Sequence, residues 1–115
     1  MPNYSEAHLE TLRRLFAHWP EVSEGRMFGY PAFYVGRKMF ACVYGAGVAL
    51  KLPASMVPPL LARPTVKWFE PMGRRRMREW IEIDRVRSAD YRHDRALFEA
   101  AIRYAAAAAP VEGQR

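Results

Sequence analysis

The sequence predicts an α+β domain, an antiparallel sheet of about five to six strands flanked by a helix at each end of the chain. Three observations carry this reading. Gly25 to Lys51 is dense in apolar side chains and broken by glycine-bearing turns at Gly29-Tyr30-Pro31, Gly36-Arg37 and Gly45-Ala46-Gly47, which folds a sheet back on itself as a meander. Apolar residues recur at helical spacing near both ends. Between them, Met77 to Ile83 alternates apolar and polar side chains in the manner of a strand.

The first helix starts at Ser5, a good N-cap, and presents Leu9, Leu12, Phe16 and Trp19 on one face until Pro20 stops it. Glu10 and Arg14 form a favourable pair one turn apart. Strands are expected near Arg26 to Phe28, Ala32 to Val35, Lys38 to Tyr44 and Val48 to Leu52. Strict alternation along the third puts Met39, Ala41 and Val43 on one face and Phe40, Cys42 and Tyr44 on the other, so both faces are apolar. The helices can cover one face. The other needs a second layer, and a homodimer pairing sheet to sheet, or edge to edge, supplies it economically, with Phe40, Cys42 and Tyr44 as the expected contact.

Pro53, Pro58, Pro59 and Pro64 limit the next segment to one or two helical turns. Val66 to Phe69 and Met77 to Ile83 follow as a hairpin joined through Pro71-Met72-Gly73-Arg74. Met77, Ile81 and Ile83 fall on one side of its second strand, Arg76, Arg78, Trp80 and Glu82 on the other, and Glu79 interrupts the apolar side. From Ser88 or Asp90 the chain turns helical, with Tyr91, Phe98, Ile102 and Ala105 on one face. The alanine run prolongs this helix until Pro110. Residues 1–110 are expected to form one domain and 111–115 a disordered tail.

With 115 residues, half of them hydrophobic, the chain can bury one core without disulfide or metal staples. Its single cysteine, Cys42, sits in an apolar run and reads as an inert core thiol. No signal-like amino terminus and no bilayer-length apolar stretch occurs, so the expectation is a soluble, cytoplasmic protein without membrane contact. The histidines His8, His18 and His93 are widely spaced and read as surface residues. No metal-ligand spacing, phosphate-cradling glycine loop or activated nucleophile is found, and the chain is expected to have no catalytic set, no metal site and no cofactor.

The formal net charge of +6 is concentrated in the second half: Arg63 to Arg87 holds eight basic against four acidic residues. Lys67, Trp68, Arg74, Arg75, Arg76 and Arg78 form the sharpest candidate site. The cations could follow a phosphate backbone while Trp68 or Trp80 stacks on an exposed base. The competing reading is a solvated edge strand whose charge discourages aggregation. A protein partner docking on the two-sided apolar sheet is the alternative from another class.

The meander also carries a resemblance. Arg26-Met27-Phe28-Gly29, then Phe33-Tyr34-Val35-Gly36, then Lys38-Met39-Phe40-Ala41, then Val48 to Lys51, resembles the N-terminal domain of the TfoX (Sxy) family over roughly Leu9 to Ala108. The Lys-Met-Phe hairpin and the later Arg78-Glu79-Trp80-Ile81 strand are also similar to the YjbR family. Either resemblance implies a curved antiparallel sheet with flanking helices, often dimeric, and no catalytic residue set. The TfoX resemblance further implies a role in transcription or competence regulation. Full-length members carry a second helical domain, and the expectation for this sequence is a stand-alone N-terminal-like domain.

Overall fold

The structure is a computed structural model that describes residues 2–71 and 77–108. Helix α1 (Glu6–Phe16) leads into four strands, β1 (Val22–Met27), β2 (Tyr30–Val35), β3 (Lys38–Tyr44) and β4 (Gly47–Lys51). A 3-10 turn over Ala54–Met56 and the short helix α2 (Val57–Leu60) precede β5 (Val66–Trp68) and β6 (Trp80–Asp84). A second 3-10 stretch, Ser88–Asp94, feeds helix α3 (Arg95–Ala108). The six strands form one antiparallel sheet in the order β1-β2-β3-β4-β6-β5, so β6 inserts between the meander and β5. This is the α+β architecture expected.

Local chemistry explains each boundary. Ser5 caps α1 by accepting from the His8 amide at 3.1 Å. The helix ends at Phe16, short of Trp19, which lies in the following turn with its ring under the Arg95 guanidinium at 4.7 Å. Arg13 takes the pairing role expected of Arg14, bonding Glu10 at 2.9 Å and Glu24 of β1 at 2.7 Å. The three meander connections are two-residue loops: Phe28-Gly29, Gly36-Arg37 and Gly45-Ala46, with positive φ at Phe28, Gly29, Gly36 and Gly45. The first loop sits one residue earlier than the Gly29-Tyr30-Pro31 turn expected, and Tyr30 and Pro31 belong to β2. Strand β1 runs from Val22 to Met27, starting four residues before the Arg26 expected; as an edge strand it needs no apolar alternation.

Among the described residues, α1, α2 and α3 all lie on one face of the sheet. Leu9, Leu12 and Phe16 of α1, Val57 and Leu60 of α2, and Phe98, Ala101 and Ile102 of α3 enclose Phe33, Phe40, Val43, Val48, Leu50, Ile81 and Ile83. The Phe16 ring is the hub, in edge-to-face contact with Phe33 at 4.8 Å, Phe40 at 5.3 Å and Phe98 at 5.5 Å. The expectation for Phe40 is therefore corrected. Phe33 pairs with Ala41 and Tyr34 with Met39, so Phe40 is an extra residue in β3 at a β-bulge. Phe40 and Ala41 both turn into the helix-covered core, Phe40 with no exposure at all, and Met39 moves to the opposite face. Phe40 is thus unavailable as a contact on the open face, whereas Cys42 and Tyr44 keep the orientation that alternation gave them.

His8 is a second correction, because it is 4% exposed instead of being a surface residue. Its ring bonds the Ser88 hydroxyl at 2.6 Å and the Ala46 carbonyl at 3.0 Å, and packs edge-on against Tyr91. Nε2–H donates to the carbonyl and Nδ1 meets the Ser88 hydroxyl, so the ring joins α1, the β3–β4 turn and the 3-10 stretch. Tyr91 donates to the Ile83 carbonyl at 2.7 Å, and Arg85 clamps the 3% exposed Asp94 through two bonds of 3.0 and 2.8 Å.

Gly47, where β4 begins, tests this packing. A Cβ there would collide with the Asp84 carboxylate and come within 2.9 Å of both Glu82 Oε2 and the Ile83 carbonyl. The backbone oxygen cannot swing away. Gly47→Ala should therefore destabilise the fold by about 1–3 kcal/mol, the usual cost of overpacking, read as a lower urea midpoint at unchanged slope.

Candidate functional site

On the face without helices, three neighbouring strands place small side chains side by side: Ala32 of β2 pairs with Cys42 of β3, which pairs with Ala49 of β4. Larger residues flank this row, Tyr30 and Tyr44 on one side, Met39 and Trp80 on the other. A row one or two heavy atoms deep between walls of rings and thioethers is a trough. The connection after β5 closes one end of it with Phe69, which is 5% exposed. The result is a groove of about 320 Å³, inside the usual range of binding pockets, lined almost wholly by apolar atoms.

The groove has internal order. Tyr30, Tyr44, Phe69 and Trp80 form a chain of ring contacts at 4.7, 5.3 and 5.9 Å. Met27, Phe28 and Met77 stand at its edge, and they are three of the four most exposed large apolar residues among those described; Val86, elsewhere, is the fourth. Phe28 is 84% exposed. Solvent-facing apolar groups concentrated around one concavity are the signature of a contact surface.

Beside the groove, on the same face, lies a small polar cluster. Lys67 of β5 approaches Asp84 at 3.2 Å and Glu82 at 3.7 Å. Glu82 pairs in register with Ala49, the cross-strand neighbour of Cys42 in the groove, and is 8% exposed. Its carboxyl is raised to about 7, by burial first and by the adjacent Asp84 carboxylate second, with Lys67 acting in opposition. Burial likewise pushes the Cys42 thiol up to about 12, helped by the Glu82 charge. A thiol so protonated is no nucleophile at neutral pH. Among the described residues no three His, Cys, Asp or Glu side chains converge to hold a metal ion, and no helix is long and apolar enough to cross a membrane.

Among the described residues read as a nucleic-acid contact, Lys67 and Trp68 point to opposite faces of the sheet. Lys67 has two carboxylate partners on the open face, whereas Trp68, the next residue, packs against the helix-covered core. Trp80 belongs to the groove and Arg78 is exposed; Met77, expected on the side of Ile81 and Ile83, lies ahead of β6, where strand alternation does not hold, and lines the groove instead. Arg74, Arg75 and Arg76 lie outside the described residues, as does the expected tail. Sequence reasoning missed the groove itself, because Cys42 is flanked by large side chains from β1, β2, β3, β6 and the connection after β5 that only the sheet register brings together.

An open antiparallel sheet with helices on one side and an aromatic trough on the other defines a small α+β domain. The chain belongs to the TfoX N-terminal domain family, whose pattern it matches over residues 14–109. No curated protein and no solved structure matches it.

Two measurements follow from the electrostatics. Cys42 should resist iodoacetamide in the native protein at pH 7–8 and react fully once unfolded in guanidinium, as followed by mass spectrometry. Glu82, raised to about 7 from an ordinary 4.5, keeps its proton in the folded state where the unfolded chain has lost it. Its contribution is therefore fully present below about pH 4.5 and lost as pH rises through 7, with a slope of at most about 1.4 kcal/mol per pH unit. Glu82→Gln should remove that part of the decline, read as the difference between wild-type and variant stability across pH 4 to 8.

Proposed function

We propose that this chain is a non-enzymatic, regulatory binding module that works as a homodimer, two copies meeting through their open sheet faces. The observation that carries this reading is the gathering of Met27, Phe28 and Met77, exposed in the single chain, around one apolar groove. Size supports it as well. Six strands about 4.8 Å apart and roughly 20 Å long present on the order of 500 Å² of flat face, so two copies bury about 1,000 Å², the lower bound of a specific interface. Both faces of such a pair are identical, which is the condition for a closed two-fold dimer.

A nucleic-acid role through the basic segment draws less support, since Lys67 spends its charge on Asp84 and Glu82 and Trp68 is turned to the core. The two readings differ in salt dependence. An apolar contact holds or tightens as salt rises, whereas phosphate binding through several arginines weakens steeply.

Analytical ultracentrifugation tests the proposal. The wild type should sediment at twice the chain mass at low and high salt alike. Tyr44→Asp places an unpaired charge in the dry contact and should raise the dimer dissociation constant at least about a hundredfold, roughly 3 kcal/mol. A wild type that remains single throughout, or one that shifts DNA or RNA mobility only at low salt, would sink it.

A further inference from the structure

Building on the homodimer reading, we infer that the contact is an exchange of rings: Phe28 of each copy inserts into the groove of the other. Met27 and Tyr30 are paired across a two-residue loop in which Phe28 has φ 51° and Gly29 φ 87°. Two successive left-handed residues make a type I′ turn, whose first position favours Asn, Asp or Gly. A bulky L-residue there is an outlier, because its Cβ crowds the backbone. This one also exposes 84% of its surface. The monomer gains from neither feature, since Asn would suit both the turn and the solvent better.

The turn is nevertheless held firmly. Arg26 donates to the Gly29 carbonyl at 3.0 Å and lies over the Tyr4 ring at 5.7 Å, and Pro2 fills the space beside Gly29. Phe28 is thus presented on a fixed support at the edge of the groove. A dry cavity of about 150 Å³ is enough to hold a benzene ring, and the groove offers about 320 Å³. Its walls, Tyr44, Phe69 and Trp80, display ring faces and edges suited to a further aromatic partner.

Symmetry makes the exchange reciprocal. Because Phe28 stands beside its own groove, a two-fold axis near that edge brings each ring over the other copy's trough at the same time. Both insertions then fall near the centre of the interface, where a few buried aromatic anchors supply most of the binding free energy. An interface with area only at the lower bound requires such anchors.

Phe28→Asn separates this inference from the reading it rests on. The variant should raise the dimer dissociation constant at least about thirtyfold by sedimentation, the size of a central hot spot. Its urea midpoint, measured at a concentration where both proteins are single chains, should equal or exceed that of the wild type, since Asn suits the turn. A Phe28→Asn protein that dimerises as tightly as the wild type overturns the ring exchange and leaves the homodimer standing. A wild type that never dimerises overturns both. If that single chain instead takes up 1-anilinonaphthalene-8-sulfonate, and Tyr44→Asp abolishes the uptake, the groove belongs to a small apolar ligand and the exchange is likewise rejected.

Discussion

The constraint on which this structure depends is the one-sided placement of its helices. A sheet apolar on both faces must cover both or leave one as a surface, and α1, α2 and α3 all pack on the same side around the Phe16 hub. The helical stripes have no residues to spare for the second face. That face must instead become tolerable in water by its own means, and it does so by turning inward. Small side chains in the middle let the surrounding rings lean over them, so Phe69, Cys42, Ala32 and Ala49 are buried without any helix above them.

The bulge at Phe40 decides which residues go to which side. Without it, β3 would send Phe40 to the open face and Met39 to the core, and the Phe16 cluster would lose a ring that touches it at 5.3 Å. With it, two consecutive residues point inward and the open face receives a flexible thioether in place of a stiff ring. The same face tolerates a buried carboxyl, Glu82, because burial raises its pKa to about 7 so that it can hold its proton, and Lys67 approaches it at 3.7 Å. The one thiol in this arrangement is held protonated by its burial.

Much of the fold was legible in the residues. Ser5, the Leu9-Leu12-Phe16 stripe, the glycine turns, and the Ile81 and Ile83 alternation report local preferences that tertiary packing did not override. The failures have physical causes. Strict alternation cannot foresee a bulge, so Phe40 was placed on the wrong face. A polar edge strand carries no periodic signal, so Val22 to Gly25 went unseen. His8 looked like a surface residue because its partners, Ser88 and Ala46, are distant in sequence. Of the site, Cys42 and Tyr44 were legible as open-face residues. The trough was not, since it arises from register between strands, and neither was Phe28, whose prominence depends on a left-handed backbone angle.

The amino-terminal residues have a practical bearing on how the protein is handled. Asn3 accepts from the Gly45 amide at 2.7 Å, Tyr4 bridges to Gly45, and Pro2 fits against Gly29. The start of the chain is therefore threaded across two hairpin tips and emerges next to Phe28. Affinity handles or fluorescent fusions joined ahead of Pro2 would crowd that corner of the molecule and disturb whatever meets it.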